Sequence, residues 1–180
     1  LKEVKANRDQ QRQPRERKDW PTLALVGYTN AGKSTLFRTL SGAEVEVEDS
    51  LFCTLDPTLR QITLPDHQKA FLIDTVGFIR GLPHQLVAAF RATLEETVQA
   101  DLLLHVVNLE SPWVEEEYAA VLEVLRTLQA NEKPIITVLN KKDLMDNEFT
   151  VARLMRNLPA PVVISALTGD GVDNLLDKIA

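Results

Sequence analysis

Gly27-Tyr28-Thr29-Asn30-Ala31-Gly32-Lys33-Ser34 sets two glycines, a lysine and a hydroxyl at the spacing G-x-x-x-x-G-K-S/T. The stretch follows the apolar run Leu23-Ala24-Leu25-Val26 and leads into Thr35-Leu36-Phe37-Arg38-Thr39-Leu40, the order strand, glycine loop, helix start. Each residue type has a task in holding a phosphate. Gly27 and Gly32 let the backbone turn its N–H groups inward without Cβ obstruction. Amide dipoles at the start of the helix add positive potential where the anion sits. Lys33 is placed to reach β- and γ-phosphates, and the Ser34 hydroxyl to take one position on Mg²⁺.

Two further motifs follow apolar strands. Asp74-Thr75-Val76-Gly77 comes directly after Phe71-Leu72-Ile73. A carboxylate there can hold Mg²⁺ through water, and the Gly77 amide can meet a γ-phosphate. Only a triphosphate offers that last contact, so the segment after Gly77 is expected to respond to nucleotide state. Asn140-Lys141-Lys142-Asp143 chooses the base. Two parallel acceptors on Asp143 match the N1–H and exocyclic amine of guanine, a donor pair that adenine lacks. The Lys141 stem can cover the base face, and the Asn140 amide can brace the loop. At the next strand end stands Ser165-Ala166-Leu167, where the Ala166 N–H is placed to donate to guanine O6.

These four motifs, in this order, resemble the P-loop GTPases, and an ATPase or kinase conflicts with N-K-x-D and S-A-L. The phosphate loop, Leu51-Phe52-Cys53-Thr54-Leu55-Asp56-Pro57-Thr58 and Asp74-Thr75-Val76-Gly77-Phe78-Ile79-Arg80-Gly81-Leu82-Pro83 look like the HflX family, relatives of the Obg group. The match runs over essentially all of Thr22 to Ala180. It implies a P-loop NTPase three-layer sandwich: a mostly parallel six-stranded sheet with helices on both faces, as in Ras-like G domains. It places Gly27, Tyr28, Asn30, Ala31, Gly32, Lys33, Ser34 and Thr35 with Asp74 and Gly77 around the phosphates of GTP or GDP. Asn140, Lys141, Asp143, Ser165, Ala166 and Leu167 fall around the base. Lys33, Thr54 and Gly77 carry catalysis, and Ser34, Thr54 and Asp74 hold Mg²⁺. Both Thr54 and Thr58 could close over that ion, and the family's F-x-T-L-D-P pattern selects Thr54. Cys53 reads as a small apolar neighbour.

The resemblance further implies GTP hydrolysis coupled to the large ribosomal subunit, in splitting or rescue of stalled or idle ribosomes. Many GTPases place a water-orienting Gln directly after the D-x-x-G glycine. Phe78 stands there in this chain, so low intrinsic turnover and activation by a partner are expected. Asn30 matches the loop position used by GTPases that take K⁺ as a fixed positive charge, making K⁺ stimulation a second expectation. The alternative function is a GTP-gated RNA- or protein-binding module, with slow hydrolysis as its reset.

These motifs require strand ends to carry them, and the sequence alternates strand and helix accordingly. Strands are expected at Thr22–Val26, Thr58–Leu64, Ala70–Ile73, Leu102–Leu109, Ile135–Leu139 and Val162–Ile164. Pro65-Asp66 suits a hairpin turn between the second and third. Helices are expected at Lys33–Leu40, ended by Ser41-Gly42, then Gln85–Ala100, Glu115–Gln129, Val151–Leu158 and from Val172 onward. Repeated β-α units give a largely parallel sheet whose ligands sit beyond the carboxyl ends of its strands. His105 within an apolar strand reads as a satisfied core or strand-end histidine, and His84 as part of a helix start, with contact to a partner as its alternative.

A chain of 180 residues, 44% hydrophobic, suits one domain. No apolar run approaches the ~20 residues of a membrane span, and no signal peptide precedes the first strand. The single Cys53 forms no internal disulfide, which fits a reducing, cytoplasmic setting. Residues 1 to 18 carry Lys2, Lys5, Arg8, Arg12, Arg15, Arg17 and Lys18 against Glu3, Asp9 and Glu16, a charge of +4 within a chain of net −6. The expected division is a basic linker over 1–19, the tail of an N-terminal domain, and a GTP-binding domain over 20–180, with Trp20-Pro21 at the boundary. The linker could also contact RNA phosphates. The chain starts at Leu1 rather than Met, which reads as a fragment of a longer protein, and a monomer is expected.

Overall fold

The computed structural model describes residues 20–42, 58–78, 97–145 and 148–180. Among them run β1 (Thr22–Gly27), α1 (Lys33–Ser41), β2 (Thr58–Thr63), β3 (Lys69–Asp74), β4 (Leu102–Asn108) and α2 (Val114–Thr127). β5 (Ile135–Asn140), a 3₁₀ turn (Lys142–Leu144), α3 (Glu148–Asn157), β6 (Pro161–Val163) and α4 (Val172–Ile179) complete the order. The strands form one six-stranded sheet in the order β2-β3-β1-β4-β5-β6. All neighbours are parallel except β2 and β3, which pair antiparallel as a hairpin. Its turn closes with Leu64 N donating to Gln68 O and Gln68 N donating to Asp66 Oδ1.

The near-continuous apolar strands are covered on both faces, as parallel strands demand. Along β1, Leu23 and Leu25 face one core with Leu36 and Phe37 of α1 and Val172 and Leu175 of α4. Ala24 and Val26 face the opposite core with Val121 and Leu125 of α2. A third cluster joins Val107 and Leu139 to Leu154 of α3. This is the expected α/β sandwich.

Element ends differ from the sequence reading by one to three residues. α2 stops at Thr127, because Gln129 takes a left-handed φ of 58° that no continuing helix allows. α3 starts three residues before Val151, and β4 ends at Asn108 rather than Leu109. Of the helix expected over Gln85–Ala100, only 97–100 is described: 97–99 is helical, and Ala100 already lies past the helix end. The basic linker over 1–19, the stretch containing Cys53 and Thr54, the segment Ile79 to Pro83, and His84 lie outside the described residues. At the N-terminal boundary Trp20 packs on Phe71 at 5.4 Å between ring centroids, with the Lys69 ammonium 5.3 Å over its ring. No helix among the described residues is long and apolar enough to cross a membrane.

Candidate functional site

β1, β3, β5 and β6 end on the same edge of the sheet, and every motif continues from one of these ends. The loop after β1 turns through Asn30 at φ 58° and Gly32 at φ 91°, both left-handed, before α1 begins at Lys33. Gly27 has a different reason to be glycine from the one its motif suggests. Its backbone is near-extended, and an added Cβ would lie 2.3 Å from the Val106 carbonyl oxygen on β4. Close strand packing, not the turn, excludes a side chain there. Lys33 is 6% exposed, and its ammonium donates to the Tyr28 carbonyl at 2.9 Å.

The Ser34 hydroxyl donates to Asp74 Oδ2 at 2.7 Å, with the Asp74 side chain buried. Two hard oxygen donors thus meet at the mouth of the phosphate loop, the chemistry a magnesium ion takes. Gly77 lies against the same loop: an added Cβ would stand 3.0 Å from Thr29 Cα and 3.1 Å from Lys33 Nζ. Ala31 is buried, Thr35 half-buried in the first turn of α1, and Asn30 exposed.

The base-reading segments are joined through Asn140, which is 2% exposed. Its Nδ2 donates to the Ala31 carbonyl at 2.9 Å, and its Oδ1 accepts from the Ala166 N–H at 2.9 Å. One side chain therefore ties the phosphate loop to the S-A-L loop. The Ala166 amide, expected to face guanine O6, is engaged by this brace. Ser165 holds Asp143, its hydroxyl donating to Oδ1 at 2.5 Å, while Thr168 N–H donates to Ser165 Oγ at 3.2 Å. Lys141 takes a left-handed φ of 67°, and its ammonium lies 3.5 Å from Glu110. Asp143 and Leu167 are exposed at this rim. Thr39, absent from the motif reading, donates from α1 to the Ala166 carbonyl at 2.7 Å. Nothing in its sequence context marks it out.

Phe78 is 1% exposed and packs into the core beside Ala24, Val26 and Leu103. His105 is a core residue stacked on Tyr118 at 4.6 Å, as the strand pattern suggested. It is not fully satisfied, since Nδ1 has no hydrogen-bond partner among the described residues. Burial, and then the Lys33 ammonium, push its pKa down to about 3, so the imidazole is neutral. Thr54, the expected switch residue, lies outside the described residues.

A family model described as a 50S ribosome-binding GTPase matches residues 22–141. The chain is 49% identical to the GTPase HflX of Escherichia coli K12 over 180 residues, covering 99% of this chain and 42% of the relative. Against the GTPase HflX of Caldanaerobacter subterraneus it is 49% identical over 179 residues, covering 99% and 40%. The chain thus spans about two-fifths of the length of these curated relatives. Among solved structures, a GTP-binding protein of Sulfolobus solfataricus in complex with GDP aligns at TM-score 0.71 and 34% identity, covering 88% of this chain and 51% of that one. Era in complex with MgGDPNP and a stretch of 16S ribosomal RNA aligns at TM-score 0.72 and 26% identity, covering 88% and 55%.

Proposed function

The chain belongs to the HflX family of GTPases, and from that premise we propose that residues 20–180 form a GTP-binding and GTP-hydrolysing switch acting on the large ribosomal subunit. Splitting or rescue of stalled or idle ribosomes is the cellular task that fits this reading. Residues 1–19 form a basic linker to a further domain. The observation that carries the nucleotide assignment is the Asn140 side chain, which bonds the phosphate loop on one side and the base-reading loop on the other. The description of the matched family carries the ribosomal partner.

In this reading the backbone from Gly27 to Thr35 cradles the phosphates, and Lys33 leaves the Tyr28 carbonyl to meet β- and γ-oxygens. Ser34 and Asp74 are the described residues that hold magnesium, and Thr54 joins them. The ion supplies neutralisation of phosphate charge. Gly77 offers its amide to the γ-phosphate. Asp143, held by Ser165, accepts the two guanine donors, with Lys141 and Leu167 along the base. The Ala166 amide reaches O6 by sharing its proton with, or releasing it from, Asn140.

Phe78 neither donates nor accepts a hydrogen bond from its side chain, so the attacking water lacks its usual guide and turnover is slow. Groups supplied in trans raise related reactions by ~10³ to 10⁵. The test begins with calorimetric titration by GDP, a non-hydrolysable GTP analogue and the matching ATP analogue in Mg²⁺ buffer. Guanine nucleotides alone are expected to bind. GTPase rates with and without purified large subunits then test the partner: a rise of at least about tenfold is expected, and equal rates overturn it. Potassium is a further proposed activator, through Asn30 exposed on the phosphate loop. Faster hydrolysis in KCl than in NaCl is expected, and equal rates remove potassium from the mechanism.

The buried Phe78 also favours a second reading, a GTP-gated RNA- or protein-binding module that uses slow hydrolysis as its reset. Co-sedimentation with large subunits in the triphosphate state supports the first reading. Binding to another RNA or protein instead supports the second.

A further inference from the structure

We propose that Phe78 is a positioning residue for the Gly77 amide, acting as the far anchor of a one-residue bulge that sets this amide against the phosphate loop. The proposal rests on the nucleotide reading above. β1 and β3 run in register from Thr22 opposite Phe71 to Leu25 opposite Asp74. Unbroken, that register would set Tyr28 opposite Gly77. Tyr28 instead bridges Phe78, so the chain continuing β3 carries one residue more than β1 between the two pairings. Bulges of this kind redirect a local segment out of a ladder.

Both ends of the bulge are anchored. At the near end the buried Thr75 hydroxyl donates to the Leu25 carbonyl at 2.6 Å, just past the last paired residues of the ladder. At the far end Phe78 N donates to the Gly27 carbonyl at 3.0 Å, and Thr29 N donates to the Phe78 carbonyl at 2.8 Å. That bridge is isolated from the named strands, and the Phe78 ring holds it by sitting 1% exposed in the core with Val26, Val121 and Leu125. Between the anchors Gly77 rises so close to Thr29 and Lys33 that no side chain fits without displacing them.

A glutamine at position 78 would bury an amide in that apolar cluster or withdraw from it. Withdrawal frees the bridge and lets Gly77 drift from the phosphate loop. Only a γ-phosphate meets Gly77 in the nucleotide reading, so the loss falls on triphosphate binding and spares diphosphate binding. Installing the group that many GTPases use to orient water therefore weakens this site.

The test titrates the 180-residue chain and its variants with GDP and with a non-hydrolysable GTP analogue, and compares the ratio of affinities. Phe78→Gln is expected to lose about ten- to a hundredfold for the analogue, the worth of one hydrogen bond to a charged oxygen, and at most about twofold for GDP. Phe78→Leu, which keeps the apolar anchor, should restore the ratio. Leu125→Ala loosens the same cluster without touching the bridge, and should lower thermal stability while keeping the ratio. Thr75→Val removes the near anchor at constant shape and shifts the ratio in the same direction as Phe78→Gln, so the question is answered even where the glutamine variant does not fold. An unchanged ratio in Phe78→Gln or Thr75→Val overturns the proposal. So does an equal shift in Leu125→Ala, which would make core softness the cause. Failure of the parent chain to bind either nucleotide overturns the nucleotide reading itself, whereas normal parent binding with unshifted variants overturns only the role of Phe78.

Discussion

Asp143→Asn is expected to abolish guanine preference, lowering GDP affinity by roughly 10³- to 10⁴-fold while creating affinity for xanthosine diphosphate. The carboxylate presents two acceptors to the two adjacent donors of guanine. Asparagine presents one acceptor and one donor, which mismatches the exocyclic amine and matches the carbonyl that xanthine carries in its place. The penalty is large because a polar group facing the wrong partner loses its bond and keeps its desolvation cost. The Ser165 hydroxyl can still donate to the remaining carbonyl oxygen, so the side chain stays oriented. Asp143 is exposed, and thermal stability should therefore change little. Parallel calorimetric titrations with the two diphosphates read the switch. Undiminished GDP binding would remove Asp143 from base recognition.

The order of motifs was legible because each lies at the end of an apolar strand, and a parallel sheet must bring such ends to one edge. The unbroken apolar run Leu23-Ala24-Leu25-Val26 placed the loop without any knowledge of its ligand, and the structure divides that run between two cores, Leu23 and Leu25 on one face and Ala24 and Val26 on the other. What escaped sequence reasoning is contact across the sheet. Gly27 reads locally as a phosphate-loop glycine, yet its lack of a side chain answers to Val106, 79 positions later in the chain by their numbering. Gly32 likewise has a second duty, since an added Cβ would stand 2.3 Å from Asn140 Nδ2 and expel the brace. Phe78 was legible as a missing polar group. Its structural role depends on a change of register between β1 and β3 that no pattern of residue types announces. Ser165 read as part of a guanine loop because its motif says so, whereas its hydroxyl acts on Asp143.

Asn140→Ala is expected to lower stability and nucleotide affinity together. It removes the donor of the Ala31 carbonyl and the acceptor of the Ala166 N–H together, from a side chain that is 2% exposed. A lost buried bond costs about 1 kcal/mol net, and more where the surviving partner stays buried and unpaired, so a stability loss of about 2–4 kcal/mol follows. In a domain of this size that lowers the melting temperature by on the order of 10 °C. Two effects on nucleotide affinity oppose each other. The Ala166 amide, released from Asn140, becomes fully available to guanine O6, which favours binding. The phosphate loop and the base-reading loop, no longer tied, must be ordered by the nucleotide itself, which opposes it. The second effect dominates because a freed amide gains one bond, while two loops lose their fixed separation. Affinity for GDP should fall by about ten- to a hundredfold, the scale of one to two such bonds. Saturating GDP should then recover part of the lost melting temperature, since ligand that binds only the folded state stabilises it. Calorimetry with GDP and melting curves at graded GDP separate the two contributions. Wild-type affinity with reduced stability would show that Asn140 serves the fold alone, and that base and phosphate recognition are independent.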